Sequence, residues 1–208
     1  MPVFEEIEKH IKFCEKDFDT IPLERKHLLN SFAEYISLKL NNENAVNLTF
    51  ICTHNSRRSH ISQIWARASA EFYGIKNVNC FSGGTEATAF NPRAVNALRK
   101  AGFEIIKNDD SENPVFLVKY AEDADPLKCF SKVYNDPFNP QNNYAAVMTC
   151  SDADENCPVV FGADARFPIR YEDPKKYDGT ESEEKMYEER CRQIASEMIY
   201  VFNKVKKP

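Results

Sequence analysis

The chain has 208 residues, of which 42% are apolar and 28% charged, proportions typical of a globular protein with one compact domain. Its formal net charge of -5 argues against non-specific binding to nucleic acids or acidic membranes. The acidic beginning MPVFEEIEKH does not fit a signal peptide, and no apolar run is long enough to span a membrane. We therefore expect a cytoplasmic protein with neither nucleic-acid nor membrane partners.

The cysteines argue against a framework of structural disulfides, because seven is an odd number and the chain has no mark of secretion. Four of them fall on apolar stripes or strands, where cysteine behaves as a small hydrophobic residue. We predict core positions for these four: Cys14, Cys80, Cys129 and Cys191.

The N-terminal region is predicted to be helical. Apolar residues recur at spacings of three and four over residues 4–18, the pattern of an amphipathic helix. A second helix is predicted from Pro22 to Leu40, before the polar run at 41–44. We interpret residues 1–44 as a two-helix extension packed on a main domain of residues 45–208.

From Asn47 onward, strand-like and helix-like segments alternate, which predicts crossover connections and an α/β fold with a parallel twisted sheet flanked by helices. Two β-rich runs within 114–134 flank an acidic turn and predict a β-hairpin, inside an insert of about residues 111–143. The other predicted strands are 47–52, 77–82, 144–150 and 167–171, and the helices are 59–74, 91–102 and 182–204.

The stretch ICTHNSRRSH, residues 51–60, places a cysteine at the end of the first of these strands and an arginine six residues later. A tight loop and a helix starting near Ser59 follow Cys52, so the backbone amides of the loop and the helix N-terminus point at one place. This arrangement predicts a site for a tetrahedral oxyanion, built from the side chains and backbone of Thr53, His54, Asn55, Ser56, Arg57, Arg58 and Ser59.

The same positive field favours a thiolate at Cys52, which would make it a nucleophile. Arg58 offers a planar fork that can bind two oxygens of the anion, and Ser59 can donate a hydrogen bond to the sulfur. Asn55 can hold the loop through its side chain or adopt a left-handed conformation. The alternative is a buried strand-end cysteine beside a polar helix cap, but capping alone does not require Arg58 and Ser59 at these positions.

A second cysteine motif, MTCSDADENCP, places Cys150 and Cys157 seven residues apart. A zinc site would need about four ligands, and no second Cys/His pair stands nearby, so we expect no metal here. Two core cysteines are an alternative, but the intervening SDADEN is very polar and favours a mobile loop. Two thiols on such a loop can form an exchangeable disulfide.

These motifs carry a resemblance to a known family. FICTHNSRRSHISQIWA with CFSGGTEATAFNPRAVNALRKAGFEI resembles the low-molecular-weight tyrosine phosphatase fold, whose phosphate loop is CxxxxxR(S/T) and whose acid lies in a downstream Asp-Pro loop. YEDPKKYDG supplies such a pair as Asp173-Pro174. Within that fold, CSDADENCP is similar to the redox loop of thioredoxin-coupled arsenate reductases. The resemblance covers residues 47 to about 110 and 144 to 205.

The resemblance implies an arsenate reductase that needs no bound cofactor. Cys52 would attack arsenate while Asp173 protonates the departing oxygen. Cys150 would then attack Cys52 and release arsenite, and Cys157 would move the disulfide outward for reduction by thioredoxin.

Two other functions stay open. A phosphatase of the same fold, acting on phosphate esters, would need only Cys52, Arg58 and Asp173, but only Tyr177 near the Asp-Pro pair could grip an aromatic substrate. A catalytically silent anion-binding domain would be marked by loss of the nucleophile, the arginine or the acid, and all three are present.

Several positions depart from the family pattern or need a separate interpretation. His54 stands where glycine is usual, and Arg57, in place of another cysteine, is expected to strengthen anion binding. Gln63 occupies the place where some family members have a glutamate that helps bind potassium, so we do not carry that cation site over. We expect His60 to be a surface or capping residue and Trp65 to lie in the core.

Overall fold

The computed structural model describes residues 2–43, 45–156 and 159–205. The strands in this part of the chain are β1 (Val46–Cys52), β2 (Val78–Gly84), β3 (Glu104–Lys107), β4 (Phe116–Lys119), β5 (Leu127–Cys129), β6 (Tyr144–Met148) and β7 (Ala163–Phe167). The helices are α1 (Glu5–Glu15), α2 (Leu23–Glu43), α3 (Arg58–Phe72), α4 (Pro92–Lys100), α5 (Ser151–Asn156) and α6 (Glu183–Lys204). Short 3-10 turns cover Phe18–Thr20 and Pro174–Tyr177.

The central sheet is parallel, with four strands in the order β2-β1-β6-β7, and it confirms the predicted α/β fold. Strands β1 and β6 are almost wholly buried, as expected for inner strands that are covered on both faces. Alternate residues of β6 point to opposite faces. Ala145 and Val147 join the large core with the helices, whereas Ala146 and Met148 join a smaller cluster that includes α5.

The predicted hairpin is confirmed as β4 and β5, but it belongs to a larger unit. Strand β3 pairs antiparallel with β4, giving a second sheet of three strands in the order β3-β4-β5. Its four residues, EIIK, are separated from the end of α4 by three residues and are too few to show an alternating pattern. The sequence therefore did not predict this strand.

The two N-terminal helices are confirmed, and both pack against α6. Ile7 and Ile11 of α1 and Phe32 and Ile36 of α2 are completely buried in the same core as the central sheet. None of the helices in the described residues is both long and apolar enough to cross a membrane.

Two expectations about the second half of the chain were wrong. The last strand of the main sheet is β7, not residues 167–171, because Pro168 has no amide hydrogen and ends the pairing with β6. Residues 151–156, expected to be a mobile loop, form the short helix α5. Its Asp154, only 5% exposed, forms ion pairs with Arg166 and Arg170, so a polar sequence is accommodated by burying its charge in pairs.

Candidate active site

Cys52 lies at the carboxyl end of β1, and the loop of residues 53–57 leads directly into α3. Its side chain is buried, and its Sγ lies 3.1 Å from Ser59 Oγ. Asn55 Nδ2 donates to the same Ser59 oxygen at 2.9 Å. Because that oxygen already accepts a hydrogen bond, the Ser59 hydroxyl hydrogen can point at the sulfur and stabilise a thiolate.

Asn55 shapes the loop both through its backbone and through its side chain. Its φ of 44° lies in the left-handed region, which asparagine tolerates better than most residues. Its Oδ1 accepts a hydrogen bond of 2.9 Å from the backbone N–H of Lys132, a residue of the insert. The neighbouring insert residue Ser131 donates from Oγ to the carbonyl of His54 at 3.0 Å. The insert therefore helps to hold the loop.

The carbonyl oxygens and the amides of the loop backbone differ in their hydrogen-bond partners. Carbonyl oxygens are occupied by the surrounding scaffold: Glu86 N donates to Thr53 O at 2.8 Å, and Asn91 N donates to Ser56 O at 2.9 Å. The amides of residues 53–58, in contrast, donate to no acceptor in the described part of the chain. With the N-terminus of α3 beside them, these amides are available as hydrogen-bond donors to an oxyanion.

Arg58 and Asp173 meet at this loop. The guanidinium of Arg58 donates to Asp173 Oδ2 at 2.6 Å and to the carbonyl of Tyr171 at 3.0 Å. Asp173 Oδ1 accepts from the backbone N–H of Lys175 at 3.0 Å, which caps the 3-10 turn. The structure thus brings the downstream Asp-Pro pair to the loop, with the Asp173 side chain 31% exposed and Arg58 almost buried.

Arg57 does not extend into solvent as an additional free charge. Its side chain is 10% exposed, and its Nε donates to the hydroxyl of Tyr187 at 2.7 Å. The guanidinium also lies 3.5 Å from Asp178 Oδ2 and 4.0 Å from Asp173 Oδ1. Nothing in the sequence around Tyr187 or Asp178 indicated that they would reach the loop.

The second thiol, Cys150, lies just beyond the end of β6. Ile51 of β1 is opposite Met148 of β6, so Cys52, the last residue of β1, and Cys150, two residues after β6, lie at the ends of adjacent strands. Cys150 is completely buried, its Sγ lies 3.5 Å from Thr53 Oγ1, and it packs in the same apolar cluster as Cys52. Cys157 lies outside the described residues.

The four cysteines predicted as core residues are confirmed to be buried, and their chemistry differs from that expected of a nucleophile. Burial raises the pKa of the thiols of Cys80, Cys129 and Cys191 to about 12 in each case. Burial also raises the pKa of Cys14. All four are therefore protonated and unreactive at neutral pH.

His60 was expected at the surface or in a cap, and that expectation was wrong. Its ring is completely buried, stacks on Phe90 with 4.1 Å between centroids, and has Nδ1 3.1 Å from Ser82 Oγ. Burial lowers the pKa of His60 well below its usual value, so the ring is neutral. The first turns of α3 are enclosed on all sides, and Trp65 is confirmed as a core residue.

Gln63 also lies in this enclosed part of α3, where its Nε2 donates to the carbonyl of Cys80 at 3.0 Å. Within the ranges that the structure describes, no group of three His, Cys, Asp or Glu side chains is arranged to hold a metal ion.

Comparison with known proteins identifies the family. Residues 47–111 match the family model of the low molecular weight phosphotyrosine protein phosphatases. An arsenate reductase from Bacillus licheniformis is 30% identical over 153 residues, which cover 74% of this chain and 91% of that protein. The chain belongs to the arsenate reductase family with the low-molecular-weight phosphatase fold. Another member, an arsenate reductase from Bacillus subtilis, is 31% identical over 144 residues, or 69% of this chain and 84% of its own.

This chain has the same fold as solved structures of low-molecular-weight phosphatases. A mutant of YwlE from Bacillus subtilis superposes with a TM-score of 0.53 at 17% identity, covering 78% of this chain and all of its own. A low molecular weight phosphotyrosine phosphatase from Vibrio cholerae gives a TM-score of 0.52 at 14% identity, covering 76% of this chain and 95% of its own. At these identities the likeness concerns the fold alone.

Proposed function

We propose that this protein reduces arsenate to arsenite, with Cys52 as nucleophile and Cys150 and Cys157 as a disulfide relay. The observation that carries the proposal is the second buried thiol, Cys150, which lies beside the oxyanion loop at the end of the strand next to Cys52. A hydrolase working through Cys52 has no use for this thiol, whereas a reductase needs one. The relatives named arsenate reductase support the same substrate.

In the first step, the Cys52 thiolate attacks the arsenic of an arsenate held by the amides of residues 53–58 and by Arg58. An oxygen of the bound anion replaces Asp173 as the acceptor of the Arg58 guanidinium, which frees the Asp173 carboxyl. Asp173 then donates a proton to the departing oxygen, which leaves as water, and an arsenic–sulfur bond forms. Arsenic is still in its oxidised state at this point.

In the second step, the Cys150 thiolate attacks Cys52 Sγ. A disulfide forms between Cys52 and Cys150, the arsenic–sulfur bond breaks, and its electron pair stays on arsenic, which departs as arsenite. Cys157 then attacks Cys150, releasing Cys52 as a thiolate and leaving a Cys150–Cys157 disulfide. The dithiol of thioredoxin supplies the two electrons that reduce this disulfide.

The relay acts across α5, because Ser151–Asn156 separate Cys150 from Cys157 in the sequence. Cys150 is completely buried, so the segment around it has to open before thioredoxin can reach a disulfide there. We place the reaction in the cytoplasm, where thioredoxin keeps thiols reduced.

A phosphatase is the second candidate, because Cys52, Arg58 and Asp173 would also suffice to hydrolyse a phosphate ester, with water cleaving the phosphocysteine. The match of residues 47–111 to the phosphotyrosine protein phosphatase family model supports this alternative. The acid-bearing turn, however, offers only Tyr177 beside the exposed Lys175 and Lys176. This surface suits a small inorganic anion better than an aromatic ester.

The test is arsenate-dependent oxidation of NADPH in the presence of thioredoxin and thioredoxin reductase. We expect turnover by the wild type and none by Cys52→Ser, Cys150→Ser or Cys157→Ser. Cys14→Ala is the matched control, because it removes a buried thiol of α1 that has no part in the relay. Hydrolysis of p-nitrophenyl phosphate is measured in parallel. Brisk hydrolysis that is indifferent to Cys157, without NADPH oxidation, would establish the phosphatase instead.

A further inference from the structure

Two consecutive arginines of the oxyanion loop hold one downstream segment. The acid segment, residues 173–178, carries Asp173 at its start and Asp178 at its end. Arg58 binds Asp173, whereas Arg57 lies against Asp178 and also approaches Asp173. We propose that Arg57 is a positioning residue that keeps the acid segment closed over the loop, an inference that rests on the proposed function.

The contacts of Arg57 form a closed network. Its Nε donates to Tyr187 Oη at 2.7 Å, and that hydroxyl in turn donates to Asp178 Oδ1 at 2.8 Å. The other carboxylate oxygen of Asp178 lies 3.5 Å from the Arg57 guanidinium. Burial raises the pKa of Tyr187 to about 12, so this phenol stays neutral and can accept and donate at once. Arg57 thereby ties the loop to both the acid segment and α6.

The two arginines differ in what happens when an anion binds. Arg58 exchanges Asp173 for an oxygen of the anion, so the contact that holds the acid segment in the empty site is given up. The bonds of Arg57 to Tyr187 and Asp178 do not involve the anion and persist. Arg57 is then the loop residue that keeps Asp173 within reach of the departing oxygen, and misplacement of a catalytic group by about 1 Å can cost roughly a hundredfold in rate.

This role differs from the one expected from the sequence, in which Arg57 adds charge for anion binding. Its guanidinium lies between two carboxylates, those of Asp173 and Asp178, and its charge is largely compensated before any anion arrives. The effect of Arg57 should therefore fall on the catalytic rate rather than on affinity for the anion.

The first measurement is hydrogen exchange of residues 173–178 with and without inorganic phosphate, which needs no turnover. We expect faster exchange in Arg57→Ala and in the milder Tyr187→Phe, with phosphate bound, than in the wild type. Arg192→Ala serves as the control, because it removes an arginine of α6 that pairs with Asp17 and does not contact the acid segment.

The second measurement separates kcat from KM for arsenate. Arg57→Ala should lower kcat about ten- to a hundredfold and change the inhibition constant of phosphate by less than about twofold. Arg57→Lys, which keeps the charge but loses the planar fork, should not restore the rate. Because Arg57 and Tyr187 act as one unit, the double variant should lose little more than Arg57→Ala alone.

Unchanged exchange in both variants, or a tenfold weaker binding of phosphate with kcat preserved, would overturn the positioning role. A wild-type protein without arsenate turnover, whose acid segment still exchanges faster after Arg57→Ala, would refute the proposed function and leave the positioning role standing. The two failures are therefore distinguishable.

Discussion

Lys132 shows how the insert places a buried cation next to the oxyanion loop. Its side chain is almost wholly buried, with Nζ 4.4 Å from the ring centroid of Phe130 and 5.2 Å from that of Phe138. Nζ also donates to the carbonyl of Phe130 at 3.3 Å. Burial lowers the pKa of Lys132 from 10.5 to about 8, because the ammonium is separated from water. The backbone N–H of the same residue holds Asn55.

This shift predicts a pH dependence of stability. Between about pH 8 and 10.5 the unfolded chain binds a proton at this lysine and the folded chain does not, so the free energy of unfolding rises with pH. Below pH 8 the Lys132 side chain is charged in both the folded and the unfolded chain, and the folded protein bears the full cost of the buried ammonium. We expect Lys132→Met to raise the free energy of unfolding at pH 7 by roughly 2 kcal/mol, since lost contacts offset part of the gain.

Urea unfolding of the wild type and Lys132→Met between pH 7 and 10.5 measures this effect. The difference in free energy of unfolding between the two proteins should shrink as the pH rises from about 8 to 10.5. Lys128→Met is the control, because Lys128 is exposed on the neighbouring strand β5 and should show no such trend. A Lys132→Met variant that is less stable at pH 7 would mean that the ring and carbonyl contacts outweigh the cost of burial.

At the scale of elements, α5 is a short helix with one buried acidic residue, Asp154. Asp154 is buried and pairs with Arg166 of β7 and with Arg170. A helix of six residues has little stability of its own, since isolated helices shorter than about 12 residues are marginal in water. We infer that the ion pairs of Asp154 with Arg166 and Arg170 restrain the segment next to Cys150.

We expect Asp154→Ala to open this segment and expose Cys150, with labelling by a thiol reagent accelerated about tenfold or more. Peptide mass spectrometry assigns the label to Cys150. Asp152→Ala, which removes an exposed carboxylate of the same helix, should label at the wild-type rate. Equal rates in the two variants would show that Asp154 does not restrain α5.

The elements also show which features could be predicted from the sequence. The step from β1 through the loop to α3 was predictable because strand, cysteine, arginine and helix cap occur within one short stretch. Strand β7 and helix α5 were not, because ADARF and SDADEN are polar and gain their structure from partners elsewhere, such as Asp154 with Arg170. Local pattern carries no information about such long-range pairs.

The candidate site likewise contains some residues that could be predicted from the sequence and others that could not. Cys52, Arg58 and Asp173 were predictable because the motif fixes the first two and the Asp-Pro pair marks the third. Lys132 and Tyr187 were not, because they reach the loop from an insert and from a helix far along the chain. Only the tertiary structure brings these residues together.

At the scale of the whole molecule, the N-terminal extension forms part of the core. Phe32 of α2 is completely buried and packs on Phe167 of β7, with ring centroids 4.9 Å apart. We expect Phe32→Ala to lower the free energy of unfolding by about 3–5 kcal/mol, through lost burial and the cavity left behind.

Chemical denaturation tests this, with Leu38→Ala as the control. Leu38 lies on the same helix but is 62% exposed, so its truncation should change stability by less than about 0.5 kcal/mol. A Phe32→Ala variant as stable as the control would show that the extension contributes little to the folded state.

The extension and the insert also touch each other. Val3 forms an antiparallel bridge with Ala121, and Phe4 N donates to Tyr120 O at 2.9 Å. A Cβ on Gly102, at the end of α4, would come within 2.8 Å of Glu6 Cβ, so the chain there leaves room for α1. The two segments that lie outside the family resemblance are therefore in direct contact. We expect relatives that lack one to lack the other, and a chimera built on a smaller homologue to need both.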